Sequence, residues 1–361
     1  MTHGTHVTHQ TTSAKVTGEL VAAFLAGAWR LKPPDLDLSR DNVEKIAPLL
    51  LRSGAAGLGW RRLSEGELQD SVAATELRQA HRLYALQSRV NKTKIEKVFT
   101  LLRAAGVEPI LIKGWAAARH YPEPGLRPYG DIDVCVRKEN YQSAQAALRD
   151  LDPARFRVDL HAGFTKFGIR EEEKLYARTE LANMDGAEIR ILGAEDHLRV
   201  VCFHLMREGA WRPLWLVDVA AALESRSQSF DWHYCFSERL QARPVAGAIA
   251  LAHLLLRADI DRIPEAPRFD KPPRWLIATV LNEWGSLRPT MSRRHEEPMM
   301  SHLRNQSNLL DGLRHRWPNA IEATTTMNAP FNDFPRLPFQ IGSSLLHLGG
   351  FLMRLPKSWK K

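Results

Sequence analysis

The chain has 361 residues, 44% of them apolar, with a formal net charge of +9 and three cysteines. That length and apolar content exclude a wholly disordered chain and allow two domains or one large core, while the positive balance favours anionic partners such as nucleotides or nucleic acid. Cys135, Cys202 and Cys235 are widely separated and odd in number, which argues against a disulfide framework or a four-thiolate zinc site and suits a reducing, cytoplasmic setting.

Residues 1–15, MTHGTHVTHQTTSAK, lack the apolar core of a secretory signal and read as a disordered Thr/His tail. A helical region is expected over 16–105. Helical spacing covers 16–29 and 42–52, with KPPDLDLSRD between them as breaker and cap. A long helix then runs from Thr75 to Gly106, with Leu77, Leu83, Leu86, Val90, Ile95, Val98 and Leu101 as its core stripe.

Over 106–195 short apolar runs alternate with Gly and Pro, the pattern of an α/β or α+β unit. VEPILIKG reads as a strand, WAAARHY as a short helix, DIDVCV as a strand, ENYQSAQAALRDL as a helix and RFRVDLHAGF as a strand. KLYARTELANMDGAEIRIL reads as a hairpin turning at Asp185 and Gly186. Residues 196–361 return to helical patterns, with frequent prolines after Pro264. The longest apolar stretch, 341–355, falls short of the ~18 to 20 residues of a membrane span, so no transmembrane segment is expected. With Lys357, Lys360 and Lys361 behind it, that stretch reads first as a packed segment and second as a membrane-surface attachment.

Four Asp-x-Asp pairs occur, at 35/37, 131/133, 150/152 and 259/261, and spacing cannot choose among them. Context can. In DIDVCV the strand period puts Ile132, Val134 and Val136 on one face and Asp131, Asp133 and Cys135 on the other, whereas the other three pairs sit in proline-flanked breaks. Two adjacent carboxylates repel unless a cation neutralises them, which is the situation where Mg2+ meets phosphate. Asp159, in RVDLHAG, is a candidate third ligand because a β-α-β path brings its strand beside the first. Gly114 lets the backbone approach a phosphate, Lys113 adds a positive charge there, and Arg127 is a further candidate phosphate contact. His161 shares the Asp159 face, either lining the site or forming an ordinary hydrogen bond. His204 and Asp218 read as contacts between helices, Trp115 as packing and Cys135 as a small filler.

LIKGWAAARHYPEPGLRPYGDIDVCV followed by VDLH, with the approach LRAAGVEPILIKG, the helical segment HLRVVCFHLMREGAWRPLWLVDVAAALE and a later FDW, resembles a bacterial family of largely uncharacterised nucleotidyltransferases within the DNA polymerase β-like superfamily. The resemblance covers roughly residues 40–260. It implies an α+β fold, with a small mixed sheet carrying the catalytic residues between helical regions. It also implies Asp131, Asp133 and Asp159 as catalytic metal ligands, with Lys113, Gly114, Arg127 and Gly130 around the nucleotide phosphates. The implied cofactors are two Mg2+ ions, with Mn2+ as a substitute, and an NTP as co-substrate. The implied reaction moves an NMP to a hydroxyl of a peptide, protein, sugar or small molecule and releases pyrophosphate. The superfamily usually carries Gly-Ser at its phosphate loop, whereas this chain has Lys113, Gly114 and Trp115. Two other readings stay open: a nucleotide-binding regulatory or antitoxin-like partner without turnover, and an RNA-end nucleotidyltransferase drawing on the basic residues of 288–316. Against the latter, no basic stretch interleaved with aromatics is visible, so nucleic acid is not the favoured partner.

Overall fold

A computed structural model describes residues 4–164, 172–237, 239–261, 263, 272–287 and 316–352. The basic segment 288–315 and Lys357, Lys360 and Lys361 lie outside the described residues. The chain opens with four helices: α1 (Gly4–Leu25), α2 (Arg40–Ser53), α3 (Ala56–Leu63) and α4 (Val72–Ala104). Their boundaries follow local chemistry. Ser39 and Ser71 cap α2 and α4, each side-chain oxygen accepting a backbone N–H of the first turn, and Gly54 ends α2 in the left-handed conformation.

Two expectations need correction here. Residues expected as a tail are helical from Gly4, because no proline or glycine interrupts the sequence between Gly4 and Gly18 and a helix anchored by the buried Val21, Phe24 and Leu25 extends backward at little cost. In α4 the apolar residues at the middle of the expected core stripe face outward. Leu83, Leu86 and Val90 are all more than half exposed, while Ser88 and Asn91 are buried. The reason is what α4 spans. Leu77 at one end joins the large helical core and Ile95, Val98 and Leu102 at the other join the sheet's core. Between them the inward face meets the backbone and hydroxyl of Tyr129, for which Asn91 donates to the carbonyl at 2.6 Å and Ser88 meets the phenol oxygen at 3.2 Å.

The sheet has five strands: β1 (Ile110–Leu111), β2 (Ile132–Val136), β3 (Val158–Ala162), β4 (Glu180–Met184) and β5 (Ala187–Ile191). Their order is β3-β2-β1-β5-β4. β2 and β3 run parallel, β1 is antiparallel to β2 and parallel to β5, and β4 and β5 form the expected hairpin. Its turn residues Asp185 and Gly186 both take positive φ, as a two-residue turn matching strand twist requires. The short helix α5 (Trp115–Ala118) follows β1, while α6 (Tyr141–Ala147) and α7 (Pro153–Phe156) form the crossover from β2 to β3. The strand period holds. Ile132, Val134 and Val136 join α4 and α6 in one core, and Cys135 packs on the opposite face with Ile110, Ile112 and Val200. This is an α+β fold, as expected.

After α8 (Glu172–Ala177) and the hairpin come α9 (Ala194–Arg207), α10 (Pro213–Glu224), α11 (Trp232–Cys235), α12 (Arg239–Leu256) and α13 (Arg274–Trp284), then α14 (Ala320–Thr326) and α15 (Leu337–Leu352). Helices α9, α10 and α12 share one large core with α1, α2 and α3. A side chain at Gly18 would strike the backbone carbonyl of Leu281, so α1 and α13 approach closely through that glycine.

Candidate active site

The parallel register of β2 and β3 pairs Ile132 with Val158, Asp133 with Asp159 and Cys135 with His161. Side-by-side residues of parallel strands project from the same face, so two carboxylates and an imidazole gather on one side of the sheet. One ligand atom from each of Asp133, Asp159 and His161 lies within 4.8 Å of the others. His161 Nε2 stands 3.1 Å from Asp159 Oδ2 and 3.8 Å from Asp133 Oδ1. From the end of β1, Lys113 Nζ donates to Asp133 Oδ1 at 2.8 Å.

Burial by itself would raise the Asp133 carboxyl, but its contact with His161 and the Lys113 ammonium outweigh that and hold it well below the ordinary carboxylate range. Asp133 is therefore ionised throughout the physiological range. An ionised, mostly buried carboxylate beside a second carboxylate and an imidazole is a donor set that fits a divalent cation. Its two oxygens suit Mg2+, and the added nitrogen suits Mn2+ equally well. A cation there would share Asp133 with Lys113.

Asp131 precedes β2 and is half exposed. It pairs with Arg157 across the strands at 2.8 Å rather than joining the cluster, a pair in which both side chains keep more than half of their surface in water. Gly130 lies beside the same arginine, whose Nη1 would stand 3.5 Å from a side chain added there. Gly114 caps α5 with φ 63° and ψ −116°, a conformation that favours glycine, and its α-carbon faces the Asp131 carbonyl and Tyr129.

Arg127, expected at a phosphate, is held elsewhere. Its Nε donates to Asp218 Oδ1 at 3.0 Å and its Nη2 to Oδ2 at 2.8 Å, and Tyr121 donates its phenol proton to the same carboxylate at 2.8 Å. Asp218 thus makes the contact between elements that its helical position suggests, tying α10 to the loop that leads into β2.

Histidines pack beside this clamp. The His120 and His197 rings lie 5.1 Å apart, and His204 meets Trp215 edge-on at 4.5 Å. Burial, reinforced by Arg119, pushes His120 down to about 4, and burial with the nearby Lys113 charge pushes His204 down to about 3. Both folded values lie below the free imidazole value, so the neutral forms stabilise the fold above pH ~6.5 and this contribution is lost as the pH falls toward 4. The thermal midpoint is expected to drop steeply across that window. His120→Gln should remove part of the drop, on the order of 3 kcal/mol at most for one such histidine; an unchanged profile in the variant would contradict the assignment.

Asp133, Asp159 and Lys113 are brought together, whereas Asp131 and Arg127 are engaged with other partners. The residue that the carboxylate pattern underweighted is His161. Its signal was the alternation Asp159-Leu160-His161, which puts it on the carboxylate face. A hollow of about 930 Å³ lined by Arg30, Glu224, Arg226, Phe230, Trp232 and Asp259 contains none of these residues. Its wall includes the Arg30–Glu224 ion pair, closed at 2.6 Å.

The α+β core thus carries two carboxylates, an imidazole and a lysine on one face of its sheet. The family model described as uncharacterised nucleotidyltransferase matches residues 39–258, more than half the chain, and the chain belongs to that family. No curated protein and no solved structure matches it. The matched span runs from the cap of α2 through α12, so the family unit includes helices on both sides of the sheet, while α1 and α13–α15 lie outside it.

Proposed function

We propose that the chain moves a nucleoside monophosphate from an NTP to a hydroxyl of an acceptor, releases pyrophosphate, and does so with divalent cations, as a member of the DNA polymerase β-like superfamily. The observation that carries this reading is the β2–β3 register, which sets Asp159 and His161 against an ionised Asp133 already bonded to Lys113. Asp133, Asp159 and His161 would hold the cation. The chemistry supplied there would be neutralisation of phosphate oxygens and a lowered pKa of the acceptor hydroxyl. Asp131 could join these residues, since its exposed pair with Arg157 is worth at most ~1 kcal/mol and would cost little to break. Lys113, held at Asp133, would offer its ammonium to a phosphate oxygen, and Gly114 would let the triphosphate lie close to the backbone. Arg127, fixed by Asp218, acts as a permanent positive charge behind Asp133 rather than as a mobile phosphate ligand. Transfer of this kind asks for positioning and charge neutralisation and needs no covalent enzyme intermediate. Three buried cysteines outside any disulfide suit a cytoplasmic setting.

The test is incubation of the purified chain with each α-labelled NTP, cell extract and Mg2+ or Mn2+. The expected result is label in a covalent product, stoichiometric pyrophosphate, and loss of both on chelation. A tight nucleotide complex without pyrophosphate would replace this reading with the regulatory one, and label on RNA ends would replace the acceptor class.

A further inference from the structure

Helix α4 carries a row of aliphatic side chains on its outer face. Leu83, Leu86 and Val90 are 65%, 62% and 54% exposed and follow each other at intervals of three and four residues. That interval is the apolar repeat by which two α-helices pack side by side, and Gln79 and Thr93, also exposed, continue it as polar ends. The row cannot be buried by turning the helix. The opposite side is committed along its whole length, with Leu77 in the helical core, Ile95, Val98 and Leu102 in the sheet's core, and Ser88 and Asn91 bonded to Tyr129 between them. Rotation would break those bonds and strip both cores, so the three aliphatics are presented to solvent on a rigid support.

Charge selects the occupant. Residues 78–94 hold five basic residues, Arg78, Arg82, Arg89, Lys92 and Lys94, and no acidic one. Lys92 is taken by Asp185, and Arg78 lies over Trp60. Arg82 and Arg89 are exposed and make no ion pair among the described residues. At 3.6 residues per turn they flank the row along one edge, with Lys94 along the other. In a helix pair these flanking positions face the partner's charges and decide which partner is accepted. A second copy laid on the row in either direction would set base against base, which opposes self-association. Nucleic-acid phosphates would satisfy the arginines and leave the leucines facing a charged backbone. A lipid surface gains little from three aliphatics spread over ~10 Å of helix, and no helix of the described residues is long and apolar enough to cross a membrane. A helix with its own apolar row, edged by Asp or Glu, meets both features at once.

We propose that the outer face of α4, centred on Leu86, docks an acidic amphipathic helix of a protein partner, apolar row against apolar row and carboxylates against Arg82, Arg89 and Lys94. The face is the reverse of the one that bonds Tyr129, and the docking does not depend on the transfer reaction.

A fluorescent synthetic helix tests it, with leucines on its apolar row and glutamates along both edges, titrated with the full chain and read by anisotropy. Saturable binding is expected, weakened by high salt, and at least tenfold weaker for the same peptide with lysines in place of the glutamates. Leu83→Gln with Leu86→Gln, both at exposed positions, should weaken binding at least tenfold and leave the melting temperature unchanged. Arg82→Glu with Arg89→Glu should reverse the preference between the two peptides. Absence of saturable binding to the acidic peptide, or binding indifferent to both variants, would overturn the proposal. So would a concentration-dependent dimer of the chain that Leu83→Gln with Leu86→Gln abolishes, which would assign the row to a second copy. Tighter binding of an RNA oligonucleotide or of anionic vesicles than of the acidic peptide, lost in Arg82→Glu with Arg89→Glu, would overturn it in favour of that ligand.

Discussion

Asp133→Asn is expected to lower nucleotidyl transfer by about a thousandfold or more while leaving the protein folded. The substitution keeps size and shape and removes one negative charge, at the residue on which the cluster converges. Lys113, His161 and the neighbouring Asp159 all meet there. In the wild type the carboxyl is held ionised against its own burial, so the amide removes a charge that the site is arranged to keep. The amide oxygen of the asparagine can still accept from Lys113, which also retains some exposure, so the cost to stability stays small. Cation affinity, read by calorimetry or Mn2+ relaxation, should fall together with the rate, since loss of a ligand acts on both. Arg157→Ala separates this site from its neighbourhood. It removes only an exposed partner of Asp131 and is expected to leave the rate within about twofold. Wild-type turnover in Asp133→Asn would remove the chemical basis of the proposed reaction.

Strand periodicity carries its information in two residues, so it resolved the faces of β2 without help from the rest of the fold. Ile132, Val134 and Val136 go to the core shared with α4, and Asp133 and Cys135 to the other side. The β-α-β crossover then fixes Asp159 beside Asp133, because a short helical connection returns the chain to an adjacent parallel position. The hairpin at Asp185 and Gly186 was legible for a similarly local reason, the positive φ that its two turn residues must adopt. What the sequence could not reveal depends on partners far along the chain. The fate of Arg127 is set by Asp218, ninety-one residues later, and nothing near Arg127 distinguishes a phosphate from a buried carboxylate as its partner. Leu83, Leu86 and Val90 mislead because hydrophobicity ranks them above Ser88 and Asn91, while Tyr129 offers the inward face hydrogen bonds that only the polar pair can make. Asp131 lies between these cases. The period puts it on the correct face, yet the register also puts Arg157 opposite it, and an ion pair forms where a cation was expected.

The clamp on the loop before β2 supplies the second large effect. Asp218→Ala and Arg127→Ala are each expected to destabilise the fold by about 3–5 kcal/mol in denaturant unfolding, because either leaves a charge unpaired in a buried position. The side chains keep only 3% and 10% of their surface exposed, so water cannot replace the lost partner. Asp218→Ala additionally strands the buried phenol of Tyr121. The same loop is fitted from the other side. A side chain at Gly57 of α3 would collide with the Gly125 carbonyl, and Arg212 bonds the Ser53 carbonyl at 2.5 Å next to it. The loop thus cannot shift to relieve the loss, and the cost stays near the upper part of the range. Arg127→Ala combined with Asp218→Ala should cost clearly less than the sum of the two single truncations, since removing both charges leaves none to solvate. Strict additivity in that cycle would mean the two side chains act independently. Coupling with retained fold but slower transfer would show instead that the pair, by fixing the loop that delivers Asp131 and Asp133, positions the carboxylates and holds its charge behind them.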